Sequence, residues 1–136
     1  MRIDQCNKQA LYDLPIHDSQ VEKVYYDYGH RQILFSCRNY FSQKRVLFTF
    51  HNVIFSSMNN CCFPYGTARI YEVYLQENSA EFNKLMSFKD TKPDWYQGSF
   101  LDRGIEYLPV QFRMNIKDAL IIICQSIDVH EESLDI

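Results

Sequence analysis

Gln20-Val21-Glu22-Lys23-Val24-Tyr25-Tyr26-Asp27-Tyr28-Gly29-His30-Arg31-Gln32-Ile33-Leu34-Phe35-Ser36-Cys37-Arg38-Asn39 is the stretch that decides the fold class. Val24, Tyr26 and Tyr28 alternate with Lys23, Tyr25 and Asp27, the period of two that a strand with unlike faces requires. Val21 is out of phase with that set, and a bulge at Glu22-Lys23 restores the phase. Tyr28-Gly29-His30 supplies a turn, after which Ile33, Phe35 and Cys37 alternate with Gln32, Ser36 and Arg38. The whole reads as an antiparallel β-hairpin.

Working outward, residues 45–55 carry Val46, Phe48, Phe50 and Ile54 against Leu47, Thr49, Val53 and Phe55. Both faces are apolar, the mark of a central strand covered on both sides. Residues 56–66 are rich in turn formers and predict a long loop. Residues 67–76 fit a strand through Arg69, Tyr71, Val73 and Leu75, and a helix through Ile70, Val73, Tyr74 and Glu77; their β-branched and aromatic content favours the strand. Asn78-Ser79-Ala80-Glu81 has capping-box spacing and, with Phe82, Leu85 and Met86 behind it, predicts a helix over about 79–87.

Residues 89–103 read as a loop holding the only tryptophan, Trp95. Residues 108–114 alternate as a strand, with Pro109 placing it near an edge or marking a strand start. Residues 119–129 are the most apolar run and belong in the middle of the sheet system, whereas residues 130–136 are expected to fray. An N-terminal helical turn over residues 4–11 would end before Pro15. Six or so strands, one helix and no βαβ order imply a mainly β (α+β) fold. The expected architecture is an antiparallel β-sandwich or partly open barrel with one short helix, a single domain over residues 1–136.

Composition narrows the class. With 136 residues, 46% apolar and 15% aromatic, the chain can bury a core without metal or disulfide staples. A net charge of -3 without a basic run weighs against nucleic acid. No apolar run approaches the roughly 18 residues of a membrane span. Residues 1–8 lack the apolar segment of an export signal, and five cysteines are an odd number for a disulfide framework; a cytoplasmic location is expected. Cys37 and Cys124 sit in apolar segments, where a thiol behaves as a small hydrophobe.

Chemistry-bearing constellations are sparse. His17-Asp18 has the residue types of a base and its orienting carboxylate. On an extended chain, however, the two side chains point apart, so His17 is expected to pack or bond a backbone carbonyl while Asp18 braces the strand entry. Cys61-Cys62 with His51 and His30 offers zinc-type ligands without knuckle or finger spacing, and no basic neighbour activates the vicinal thiols. No phosphate loop, nucleophile elbow or zinc-protease helix is present. The reading is a non-enzyme with no cofactor and no metal. What stands out is an aromatic excess on loops or outer strand faces: Tyr25, Tyr40, Tyr65, Tyr96, Tyr107, Phe100 and Trp95. Such side chains suit an interface, although singly scattered ones also close sheet edges without any function.

The segment Leu14-Pro15-Ile16-His17-Asp18-Ser19-Gln20-Val21, the strand pair from Val24 and the run Val46-Leu47-Phe48-Thr49-Phe50 resemble small uncharacterised bacterial β-rich proteins. Some of these are similar to immunity proteins of polymorphic toxin systems. The resemblance spans about the first 55 residues and implies a cytosolic protein that neutralises a toxin by binding it, with no catalytic residue. The expected binding residues are Trp95, Tyr96, Tyr65, Tyr25 and Tyr40, with His17 and Asp18 beside them, and the expected partner is another protein or a second copy in a homodimer. The competing expectation is a ligand-binding or enzymatic β-barrel whose aromatic pocket has His17, His51 and Trp95 at its mouth.

Overall fold

The computed structural model describes residues 1–58, 69–91, 101–114 and 119–134. Within them run β1 (Arg2–Ile3), a 3-10 helix (Gln5–Asp13), β2 (Gln20–Asp27), β3 (Gln32–Asn39), β4 (Lys44–His51), β5 (Phe55–Met58), β6 (Ile70–Leu75), α1 (Ala80–Thr91), β7 (Leu108–Met114), β8 (Ala119–Cys124) and β9 (Ser126–Ser133). Every strand pair is antiparallel. One sheet has the order β1-β9-β4-β3-β2 and the other β5-β8-β7-β6, so the fold is a sandwich and not a closed barrel.

The β2–β3 hairpin forms as the alternation requires. Its register jumps from Val21↔Cys37 to Lys23↔Ser36, which makes Glu22 the extra residue of a bulge. Ile33, Phe35 and Cys37 are buried, whereas Tyr28 leaves the strand and lies exposed in the turn. Phe35, Phe48 and Phe50 of the five-stranded sheet meet Phe112 of the other sheet, with Phe35 stacked on Phe112 at 4.9 Å between centroids. Each such buried ring contributes roughly 1.5–3 kcal/mol by leaving water.

Two runs expected as single strands each serve both sheets. Residues 45–55 break at Asn52, whose φ of 51° turns the chain out of β4 and toward β5. Residues 119–129 break at Gln125 between β8 and β9. The breaks face one another: Gln125 N donates to His51 O at 3.0 Å and Asn52 Nδ2 to Gln125 Oε1 at 3.3 Å. Because β4 pairs with β9 and β5 with β8, one antiparallel ladder folds across the sandwich at these residues. β4 is central as expected, but its outer side chains Leu47 and Thr49 are only half-buried, so it is covered on one face.

Other elements shift for physical reasons. The expected loop over 56–66 begins with strand, because Ser56 and Ser57 pair with Ile122 and Ile121; residues 59–66 lie outside the described residues. The expected frayed tail is paired up to Ser133, which lies opposite Lys44. Pro109 sits near the start of β7, an internal strand. The N-terminal turn is a 3-10 helix capped by Asp4, whose carboxylate accepts from Cys6 N at 2.8 Å. β6 is a strand, with a register shift between Ile70 and Glu72.

The cap of α1 is Ser79 and not Asn78: Ser79 Oγ accepts from Phe82 N at 3.2 Å. The helix continues past Ser87 to Thr91, with buried Lys89 extending the half-buried stripe of Leu85 and Met86. The Lys89 ammonium donates to Ile105 O at 3.0 Å and lies 5.9 Å from the Tyr107 ring centre. Phe82, Leu85 and Met86 pack with Phe55, Ile121, Ile123 and Tyr107, covering the outer face of the four-stranded sheet. Tyr107, expected on the surface, is therefore buried in this second core, where its hydroxyl accepts from Asp102 N. The apolar length of β8 has the same cause: Leu120 and Ile122 face the sandwich interior, Ile121 and Ile123 face α1.

Candidate functional site

Among the described residues α1 packs on the four-stranded sheet, and no element packs on the outer face of the five-stranded sheet. The cross-strand register arranges its side chains in rows. Tyr25, Leu34, Thr49 and Asp128 form one row; Lys23, Ser36, Leu47 and His130 form the next. Tyr25 is 54% and Leu34 40% exposed, which puts an apolar centre on the face. A shallow hollow of about 110 Å³ lies between Lys23, Leu34, Ser36, Leu47 and Thr49.

Toward the β3–β4 turn the face becomes charged. Arg38, Arg45 and Glu132 stand on adjacent strands, and the bulge turns Glu22 onto the same side. Arg45 Nε and Nη2 donate to the two Glu22 oxygens at 2.8 and 3.1 Å, Arg45 Nη1 donates to Glu132 at 3.2 Å, and Arg38 Nε lies 3.0 Å from Glu22. Partial burial works to raise the Glu22 pKa, but the hydrogen bond and charge of Arg45, joined by Arg38 and Ser36, outweigh it and hold the carboxyl below its ordinary value. The Arg38 guanidinium sits 5.5 Å from the centre of the Tyr40 ring. Tyr40, Gln43, Arg38, Arg45 and Glu132 line an open hollow of about 430 Å³. At the opposite end His51 Nε2 donates to Asp128 at 2.6 Å, while its Nδ1 accepts from the Gln32 amide at 3.1 Å.

His17 and Asp18 do come together, contrary to the extended-chain expectation. Asp18 has φ 64°, a left-handed turn that brings its carboxylate within 3.4 Å of His17 Nε2. His17 Nδ1 lies 2.6 Å from Tyr71 O, the kind of backbone carbonyl partner expected of it, and its ring meets that of Tyr71 edge-on. The pair braces the junction of the two sheets, where Gln20 of β2 bridges to Arg69 and Asp18 N donates to Ile70 O. Asn39 ties this corner to the β3–β4 turn: Nδ2 donates to His17 O at 2.8 Å while Oδ1 accepts from Phe41 N and Ser42 N.

His17, Asp18 and Tyr40 thus gather at one end of the sandwich. Tyr25 stands apart on the open face, its partner Leu34 roughly 13 Å along β3 from Arg38. Trp95, Tyr96 and Tyr65, with Phe100, Cys61 and Cys62, lie outside the described residues. Sequence reasoning missed Leu34, Phe41 and Tyr71, all exposed. Leu34 was legible: it fills an outward position of a strand whose other outward residues are polar.

Among the described residues no group of three or more His, Cys, Asp or Glu is placed to hold a metal, and no helix is long and apolar enough to cross a membrane. The chain matches no protein-family model, no curated protein and no solved structure.

Proposed function

We propose that this chain is a non-enzymatic binding module that engages another protein through the open face of its five-stranded sheet. The observation that carries the reading is the asymmetry of the sandwich among the described residues: α1 seals one outer face, while the other presents Tyr25, Leu34 and Leu47 at its centre, with the Glu22, Arg38, Arg45 and Glu132 cluster at one end and the His51–Asp128 pair at the other. An apolar centre with an aromatic anchor and a polar rim is the anatomy of a protein interface. The four phenylalanine rings that fill the space between the sheets support a surface as the working part, in preference to an interior pocket. We read the partner as an immunity-type target, a toxin occluded in the cytoplasm, with the chain's net acidity favouring a basic one.

The test is native mass spectrometry of wild type and two variants purified from the source cells. A polypeptide that travels with wild type and with an Arg113→Ala control, and is lost from Leu34→Arg, supports the reading. A wild type free of any partner, or a partner kept by Leu34→Arg, overturns it.

A further inference from the structure

Among the described residues β2 is an edge of the five-stranded sheet, bonded along Lys23–Asp27 to β3 alone. An edge of the other sheet is treated differently: the 3-10 helix lies along β6, and Tyr12 Oη accepts from Leu75 N. The upstream end of β2 is closed to pairing by the Gln20↔Arg69 bridge and the bulge at Glu22. What remains is a straight run, Lys23-Val24-Tyr25-Tyr26-Asp27.

Independently of the function proposed above, we propose that two copies of the chain pair antiparallel along this run, with a two-fold axis through Tyr25. An antiparallel self-pair keeps inward and outward faces in step only when the axis passes through a residue, which leaves few registers. An axis at Lys23 opposes lysine to lysine, and one at Asp27 opposes carboxylate to carboxylate. Axes at Val24 or Tyr26 set Lys23 or Asp27 against Tyr25. The axis at Tyr25 alone sets Lys23 against the second copy's Asp27, and by symmetry does so twice. Val24 and Tyr26 then face each other on the inner side, and the two Tyr25 rings meet over the axis.

Lys23 is exposed and forms no ion pair among the described residues. Asp27 accepts from His30 Nδ1 at 2.8 Å and from His30 N at 3.3 Å, contacts that leave lone pairs on both oxygens. A lysine on an edge strand usually deters indiscriminate pairing. Here the deterrent is answered in one register only, so the same residue selects the partner it admits. The product is one continuous ten-stranded sheet with the two open faces side by side.

The test uses the full chain with Lys23→Asp and Asp27→Lys, each alone and mixed, followed by sedimentation velocity across a concentration series. Wild type is expected to dimerise. Each single variant replaces two attractive pairs by two repulsive ones and should raise the dimer Kd by tenfold or more. Mixed in equal amounts, the two variants should form a heterodimer, because one then carries carboxylates at both positions and the other carries ammonium groups at both. Circular dichroism checks that both single variants are folded, and the mixture distinguishes a lost interface from a damaged fold. A monomeric wild type, single variants that still dimerise as wild type does, or folded variants that fail to combine would overturn the proposal.

Discussion

Phe112→Ala should cost more stability than any single truncation on the open face. Phe112 is fully buried and is the ring through which the four-stranded sheet meets three rings of the other: Phe35 at 4.9 Å, Phe48 at 5.8 Å and Phe50 at 6.1 Å between centroids. Truncating a buried phenylalanine costs about 3–5 kcal/mol in lost transfer energy and cavity formation. Three aromatic partners, each worth about 0.5–1.5 kcal/mol beyond area, place this site at the upper end of that range. Rigid strands on both sides limit collapse of the cavity. Set against a total stability of roughly 5–15 kcal/mol, the loss is a third or more of the whole, and the midpoint of thermal unfolding should fall by roughly 15 °C.

Urea unfolding followed by circular dichroism, with wild type, Phe112→Ala, Phe112→Leu and Phe41→Ala side by side, measures it. Phe112→Leu keeps most of the volume and should lose about 1–2 kcal/mol, which keeps the comparison readable where the alanine variant is too unstable to isolate. Phe41 is 86% exposed, so Phe41→Ala should change stability by less than about 0.5 kcal/mol. A loss below about 1.5 kcal/mol for Phe112→Ala, at unchanged urea dependence, would refute the argument that these rings hold the sheets together.

Three further outcomes are expected. Glu22, with its folded pKa below the ordinary 4.5, contributes stability that is present above that value and lost as pH falls through the folded pKa; Glu22→Gln should therefore be about 1 kcal/mol less stable than wild type at pH 7, with the difference shrinking as pH falls below 4.5, as a series of urea titrations at decreasing pH would show. Both Asn52→Val and Asn52→Gly give up the hydrogen bond to Gln125, but only valine also places a β-branched residue at φ 51°, so by thermal unfolding the valine variant should be about 1–2 kcal/mol less stable than the glycine variant. Burial pushes the Cys37 thiol up to about 12 and raises that of Cys124 as well, so alkylation of the native protein should label exposed Cys6 and leave Cys37 and Cys124 unmodified until urea is added, read by peptide mass spectrometry.

The hairpin was legible because its signal is local. The period of two, the phase break at Val21 and the Gly29 turn all lie within one stretch, and the bulge stands where the phase break puts it. The sheet-switching strands were not, since apolar alternation continues through a bend: Val53 and Ile54 after Asn52, and Ile127 after Gln125, look like more of the same strand. The punctuation was present as an adjacent polar pair in each run, His51-Asn52 and Gln125-Ser126, but only their pairing across the ladder shows that both mark a corner. Tyr107 misled for a related reason. It stands between the loop read over 89–103 and the strand read from Leu108, and nothing in the sequence announces that α1 will fold down over it. At His17-Asp18 the error lay in assuming extended backbone, where a left-handed aspartate turns the side chains toward each other.

The folded ladder also sets an order of events during synthesis. β9 lies inside the five-stranded sheet, between β4 and β1, yet it is made after every other strand described above. Until it leaves the ribosome, β4 has an empty flank, β1 has no partner strand, and β5 waits for β8. The β2–β3–β4 meander can form early from neighbouring segments, but at about 5–20 residues per second it stands for several seconds with half its backbone edge unpaired. A nascent chain stalled ahead of residue 126 should accordingly be protease-sensitive and a substrate for chaperones.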